Sequence, residues 1–235
     1  MALQPFPEDW QRAACVVAHP DDLEYGAASA VAHWTDQGKD VAYVMVTSGE
    51  AGIEGLEPAQ VRPLREEEER ASAAQVGVSK VSFLGLPDGL LEPGLTLRRA
   101  IAGAFRELRP EVVITMNFAL SWGESGAVNH ADHRAVGEAT LDACRDAANS
   151  WIWPELGPRW AGVGAVYVAG VEDPTHFVDV GATLHRGVAS LREHRRYLDG
   201  LGTDFDPDRF LREMAQFAGI AAGCEAAVLF RRYSL

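Results

Sequence analysis

The 235-residue chain lacks a cationic surplus: 34 Asp and Glu stand against 21 Lys and Arg, a formal net charge of −13 at pH 7. Its densest run of charge, "REEEER" at 65–70, is acidic in the middle. A field of that sign repels phosphate backbones, so no nucleic-acid partner is expected. Cysteine is scarce and unpatterned. Cys15, Cys144 and Cys224 are far apart and lack C-x-x-C spacing, which argues against a disulfide framework or a thiolate metal site and leaves them as small buried residues. No apolar run approaches membrane-spanning length. The start, "MALQPFPEDWQRAACVVAHP", has acids and prolines where a secretory signal has a basic end and a continuous apolar stretch. A cytoplasmic protein without a membrane span is expected. There is no linker, repeat or low-complexity segment, and no G-x-G-x-x-G follows the first strand, which disfavours a nucleotide-binding module.

What is present is ordinary globular composition, 47% hydrophobic and 23% charged, in a length that one α/β core can fill. Short apolar runs at 13–19, 41–47, 80–86, 111–117, 163–170 and 176–181 read as strands. Helical patterns at about 24–37, 58–76, 95–108 and 130–148 separate the first five. The part after residue 181 reads as mainly helical and packs back onto the core. Alternation of this kind predicts a Rossmann-like, doubly wound, mostly parallel sheet with helices on both faces, as a single domain over 1–235. With strand order 3-2-1-4-5, the first and fourth strands are neighbours whose connections leave in opposite directions, opening a crevice at their carboxyl ends.

Two clusters fall at that crevice. "AHPDD" (18–22) ends the first strand, and "NHADH" (129–133) opens the helix after the fourth. Asn129 and Asp132 have the types and spacing of a helix N-cap and its third-position partner. His130 and His133, three apart at a helix start, share a face. Pro20 holds His19 extended, so the chain turns there and His19, Asp22 and His133 converge as a two-histidine, one-carboxylate set with room for water, the donor count of a catalytic zinc site. Asp21 points another way, off the metal and close to its water. A cation would relieve the repulsion between the adjacent aspartates. Each part alone has a plain structural reading, a hydrogen-bonded rim histidine or a solvated turn. The conjunction at one crevice favours the metal.

These residues, with "VTSGEAG" (46–52), "LREEEERASAAQVGV" (64–78), "FLGLPDG" (83–89), "PTHFVDV" (174–180) and "LREHRR" (191–196) in the same order, resemble the PIG-L / LmbE-like family of zinc-dependent N-deacetylases of N-acetylglucosaminyl conjugates. The resemblance implies His19, Asp22 and His133 as metal ligands for zinc, with iron as the alternative, Asp21 as general base and His130 as acid or electrostatic partner. It also implies Arg65, Asp88 and Glu50 as substrate-facing residues, against which stand an amphipathic-helix charge, a turn residue and a polar loop. His176 resembles a family position at the rim of the site or in support of it, but the plain reading, a strand-start histidine, is favoured. His33, His185 and His194 take no role. Leu23 stands where many members carry an acid, with Glu24 next, and the ending "GCEAAVLFRRYSL" matches only loosely. The expected partner is a small amino-sugar conjugate. The tryptophan-rich loop at 150–160 is a candidate for the substrate mouth, for a contact with a second copy, or for simple packing. Rival readings are a same-family amidase acting on thiol-sugar or other N-acyl conjugates, and a non-catalytic sugar-binding relative, which would need neither Asp21 nor His130.

Overall fold

The computed structural model describes residues 2–122, 126–200 and 205–235. In chain order these form β1 (Gln4–Pro5), β2 (Arg12–Val17), α1 (Asp22–Gly26), α2 (Ala28–Asp36), β3 (Asp40–Met45), α3 (Pro58–Gln75), β4 (Lys80–Phe83), α4 (Leu95–Leu108) and β5 (Val112–Met116). There follow a two-residue hairpin of β6 (Ser121–Trp122) and β7 (Ala127–Val128), then α5 (Ala131–Ala148), β8 (Ala165–Ala169), β9 (His176–Asp179), α6 (Leu184–Leu191), α7 (Arg195–Gly200), α8 (Pro207–Ala222) and β10 (Ala227–Ser234).

Eight strands make one sheet in the order β1-β9-β10-β8-β5-β2-β3-β4. The expected 3-2-1-4-5 arrangement is its run of five parallel strands, β4-β3-β2-β5-β8. Side chains alternate strictly across it. Ala13, Cys15 and Val17 of β2 join Tyr43, Ile114 and Tyr167 in the core beneath α2 and α6, whereas Ala14 and Val16 join Val44, Val113 and Val166 beneath α4 and α5. Burial of both faces is why these strands read as continuous apolar runs.

One expectation is corrected, and one of three alternatives for the tryptophan loop falls away. The chain after residue 181 is not helical to its end: Gly223, at φ 75°, closes α8 in a left-handed cap, and Ala227–Ser234 inserts as a strand antiparallel to both β8 and β9. The apolar "AAVLF" is short enough to suit either state, and only the vacant edge of β8 decides it. The tryptophan loop lies at the carboxyl end of α5, about 27 Å along the helix from His130 at 1.5 Å per residue, so it cannot form the substrate mouth. The buried Arg106 guanidinium ties it down by donating to the carbonyls of Asn149, Ile152 and Trp153, and the Trp160 indole donates to Pro110 O. Trp151 alone is left 90% exposed.

Helix α3 departs from ordinary amphipathic patterning. A capping box between Glu57 and Gln60, with Pro58 at the first helical position, starts it. The residues it then buries are Val61, Arg65, Glu69, Ser72 and Ala73. A helix that turns charged residues inward needs something charged to meet, and α3 packs beside the chain segment that carries His19 to Glu24. Among the described residues no helix is long and apolar enough to cross a membrane.

Candidate functional site

The carboxyl ends of β2 and β5 border a cavity of about 520 Å³ whose lining includes His19, Asp21, Asp22, His130 and His133. The two sequence clusters therefore meet. His19 Nδ1 lies 3.2 Å from His133 Nε2 and 3.7 Å from Asp22 Oδ2, and His133 Nε2 lies 3.0 Å from Asp22 Oδ1.

Their hydrogen-bond partners fix which ring nitrogens carry protons. Asn129 Nδ2 donates to the carbonyls of Asn117 and Ala119, so its Oδ1 must accept, and it does so from His133 Nδ1 at 3.1 Å. That leaves a lone pair on His133 Nε2. On the other ring, Nε2 of His19 faces Asp88 Oδ1 at 3.0 Å and Asp132 Oδ2 at 3.4 Å, which leaves a lone pair on Nδ1. With both rings neutral, two imidazole lone pairs and a carboxylate converge within 3.0–3.7 Å, an arrangement that calls for a positive charge at its centre, either a proton on His19 or a cation. The donor chemistry, two nitrogens and one oxygen, fits a divalent metal with open positions. Partners that fix tautomer and ring plane, here Asn129, Asp88 and Asp132, accompany such histidines as a rule.

The electrostatics agree. Burial opposes a charge on His19, yet Asp132, Asp22 and Asp88 together hold its pKa well above the ordinary imidazole value, the mark of a point that attracts positive charge. Burial would likewise raise Asp22, but His133 and His19 keep it well below the usual carboxylate range. Asp21 behaves in the opposite way. Burial raises it to about 6, with Arg65 opposing and Asp22 reinforcing the shift. The two adjacent aspartates are thereby separated into a permanent anion and a group poised near neutrality. Asp21 also has the unusual backbone of a non-glycine residue at φ 90°, ψ −21°, the turn that sends its side chain away from that of Asp22.

His130 completes the histidine group, its ring centroid 5.0 Å from that of His19 and 5.3 Å from that of His133. Burial and these two neighbours lower its pKa. It, rather than Asn129, is the N-cap of α5, its Nδ1 accepting from Asp132 N at 3.3 Å. Asn129 is one residue too early because its amide is occupied in the loop, and Asp132 does not return to cap the helix. Its carboxylate instead accepts from Gly89 N and Leu91 N and anchors the loop after β4.

The three residues expected to face substrate are placed differently from one another. Asp88 lines the cavity but is committed to His19 and to Ala51 N. Arg65 lines it too, yet is only 2% exposed; it donates to Pro20 O at 2.5 Å and to Gly49 O, and sits 3.3 Å from Asp21 Oδ2. Gly49, at φ 61°, is required there, since a Cβ would stand 2.5 Å from the Arg65 guanidinium. Glu50 does not join the cavity lining; it accepts from Ser48 N and pairs with Arg62 at 2.6 Å. His176 is buried in β9 against Thr175 and Tyr167, remote from the cavity.

Two residues were missed. Tyr197 stacks on Arg65 at 4.5 Å and lines the cavity; the signal was its place one turn beyond His194 in "LREHRRYL". His194 itself is fully buried with Glu24 and Glu69.

The family model for PIG-L, described as GlcNAc-PI de-N-acetylase, matches residues 14–144, more than half of the chain and the stretch that carries every residue of the histidine–aspartate cluster. The chain belongs to the PIG-L family. Among PIG-L relatives, the diacetylchitobiose deacetylase of Thermococcus kodakarensis is 27% identical over 228 residues, 94% of this chain and 82% of that one. In three dimensions the N,N'-diacetylchitobiose deacetylase of Pyrococcus horikoshii superposes with a TM-score of 0.86 at 23% identity, covering 97% of this chain and 85% of that one. GalB of Pseudomonas putida, a 4-carboxy-2-hydroxymuconate hydratase, superposes with a TM-score of 0.79 at 19% identity over 96% and 97%. Likenesses this distant establish the fold. Since one of the two is a hydratase, the reaction has to be argued from the site.

Proposed function

We propose that this protein is a zinc-dependent hydrolase that removes the N-acetyl group from an N-acetylglucosamine-type sugar conjugate, its catalytic domain spanning the whole chain. The observation that carries the reading is the convergence of His19 Nδ1, His133 Nε2 and the Asp22 carboxylate within 3.0–3.7 Å beside a cavity that also holds a second buried carboxyl, Asp21, held by Arg65 and off that cluster. A divalent ion held by those three residues would supply Lewis acidity to the attacking water and to the amide carbonyl.

The remaining chemistry belongs to the chain. Asp21, with a pKa of about 6, is matched to taking the water's proton near neutral pH and returning it to the leaving amine. His130 has Nδ1 engaged as an acceptor, so its neutral ring presents Nε2–H and donates a hydrogen bond to the developing oxyanion. Arg65 draws the Asp21 carboxylate into line, and Asp88 keeps His19 in its ligating tautomer. Glu50 supports the cavity rim through Ser48 and Arg62. The named activity of the Thermococcus relative supports an amino-sugar substrate.

The test is acetate and free-amine release from a panel of N-acetylglucosaminides by the metal-replete protein. Equimolar acetate and amine are expected. Absence of both from every conjugate, with metal bound, rules the reading out, and faster turnover of matched N-acyl glucosaminides with a bulkier acyl group, assayed alongside, replaces it with the amidase.

A further inference from the structure

Behind Asp21, away from the cavity, lies a second group of ionisable residues that the proposed chemistry leaves unused. Glu24 of α1, Glu69 of α3 and His194, between α6 and α7, have side chains with no solvent exposure. Ser72 donates to Glu24 Oε1 at 2.6 Å, and Ser190 stands beside both. His194 Nε2 lies 3.6 Å from Glu69 Oε2 and 3.7 Å from Glu24 Oε2, beyond hydrogen-bonding distance, and neither of its ring nitrogens has a hydrogen-bond partner. Glu24 Oε2 and Glu69 Oε1 are equally unpartnered. Burial of such groups is costly, and apolar residues of the same volume would serve stability as well or better. Their burial away from solvent with atoms unpartnered calls for a use.

One hydrogen bond leaves the cluster toward the site. Glu69 Oε2 accepts the backbone N–H of Asp21 at 3.3 Å. Asp21 is the residue that most needs outside support, because a non-glycine at φ 90° is held only where its surroundings dictate it. Glu69 and Arg65 are one turn apart on α3, so a single helix face grips the turn at the Pro20 carbonyl, the Asp21 amide and the Asp21 carboxylate.

We propose that Glu69, buried beside Glu24 and His194, is a positioning residue that fixes the Asp21 peptide in its left-handed conformation and thereby aims the Asp21 carboxylate at the attacking water. The inference rests on the reading of Asp21 as general base. Glu69 touches neither substrate nor metal ligands; it acts through one amide.

A double-mutant cycle on the metal-replete full chain tests it, with kcat, KM, metal content and Tm measured for Asp21→Asn, Glu69→Gln, Glu69→Leu and Asp21→Asn/Glu69→Leu. Misplacement of a reacting group by about 1 Å costs up to about a hundredfold. Glu69→Leu, which fills the space but offers no acceptor, is expected to lower kcat at least about tenfold with KM and metal content within about twofold of wild type and Tm not lowered. Glu69→Gln keeps an oxygen for the Asp21 amide and is expected to hold kcat within about threefold. With Asp21 already replaced, Glu69→Leu should add nothing, because coupled residues fail to add. Unchanged kcat in Glu69→Leu, equal damage from Gln and Leu, or multiplicative losses in the double variant each overturn the proposal. If Leu prevents folding, the Gln variant and Glu69→Ala are compared in the same way, and a kcat for Ala equal to that for Gln overturns it. Full turnover in Asp21→Asn would instead overturn the general-base reading, a separate result.

Discussion

Two clusters of histidines and carboxylates lie on either side of residue 21, built from the same residue types and opposite in character. In the open one, around His19, Asp22 and His133, every ring nitrogen that points away from the centre has a partner, so the lone pairs are forced toward a common point bordering a cavity. In the sealed one, around Glu24, Glu69 and His194, nothing directs the ring nitrogens, and no solvent reaches the side chains. Residue type and proximity alone do not make a metal centre. Partners that fix tautomers and an entry path do.

The largest effect that would break this contrast is on turnover. Asp21→Asn is expected to retain metal and to lose at least about a hundredfold in deacetylation rate, whereas Asp22→Ala loses the metal itself. Metal and turnover assayed on the same preparations decide it, and metal loss from both would mean that the two carboxylates are wrongly divided.

Elemental analysis of protein purified without chelator tests the contrast between clusters directly. One divalent equivalent per chain is expected, lost in His19→Ala or His133→Ala and kept in His194→Gln. A second equivalent that survives His133→Ala would make the sealed cluster a metal site after all.

A smaller effect sharpens the role of the partners. Asn129→Ala frees the His133 ring, and Asp88→Ala frees that of His19; each is expected to weaken metal affinity by about ten- to a hundredfold, read by competition with a chelator of known affinity. Affinities unchanged in both would sever tautomer control from metal binding.

The smallest effect concerns pH. Burial, then Glu24, hold the Glu69 carboxyl well above the usual carboxylate range, with Asp21 adding to the shift and Arg65 and the Asp21 amide opposing it; His194 is the remaining titratable neighbour. A raised acid contributes stability that is complete below its unfolded value, about 4.3, and lost as pH rises through the folded value. Glu69→Gln does not titrate. Its Tm should therefore gain on that of wild type as pH rises from about 4.3 through the raised folded value. A constant difference would mean that Glu69 is ionised throughout.

The parallel half of the sheet was legible because strands buried on both faces leave continuous apolar runs, and "AHPDD" and "NHADH" were legible because they sit where such strands end. β10 was not, although Gly223 was available as a stop signal for α8. His194 and Tyr197 were passed over because helical spacing does not say which face meets the site. Arg65 and Asp88 line the cavity and Glu50 does not, and the partners that hold them come from distant segments, as with Asp88 and His19 or Arg65 and Pro20.

By itself the sequence determined the order of the five central parallel strands, the crevice, and the histidines and aspartates that converge there, since these follow from periodicity and from the chemistry each side chain carries. Tertiary structure alone decided the tautomers of His19 and His133, the left-handed turn at Asp21, the inward charged face of α3 and the sealing of Glu24, Glu69 and His194. Each of these depends on a hydrogen bond or an exclusion of water between residues far apart in the chain, and no local pattern records such a contact.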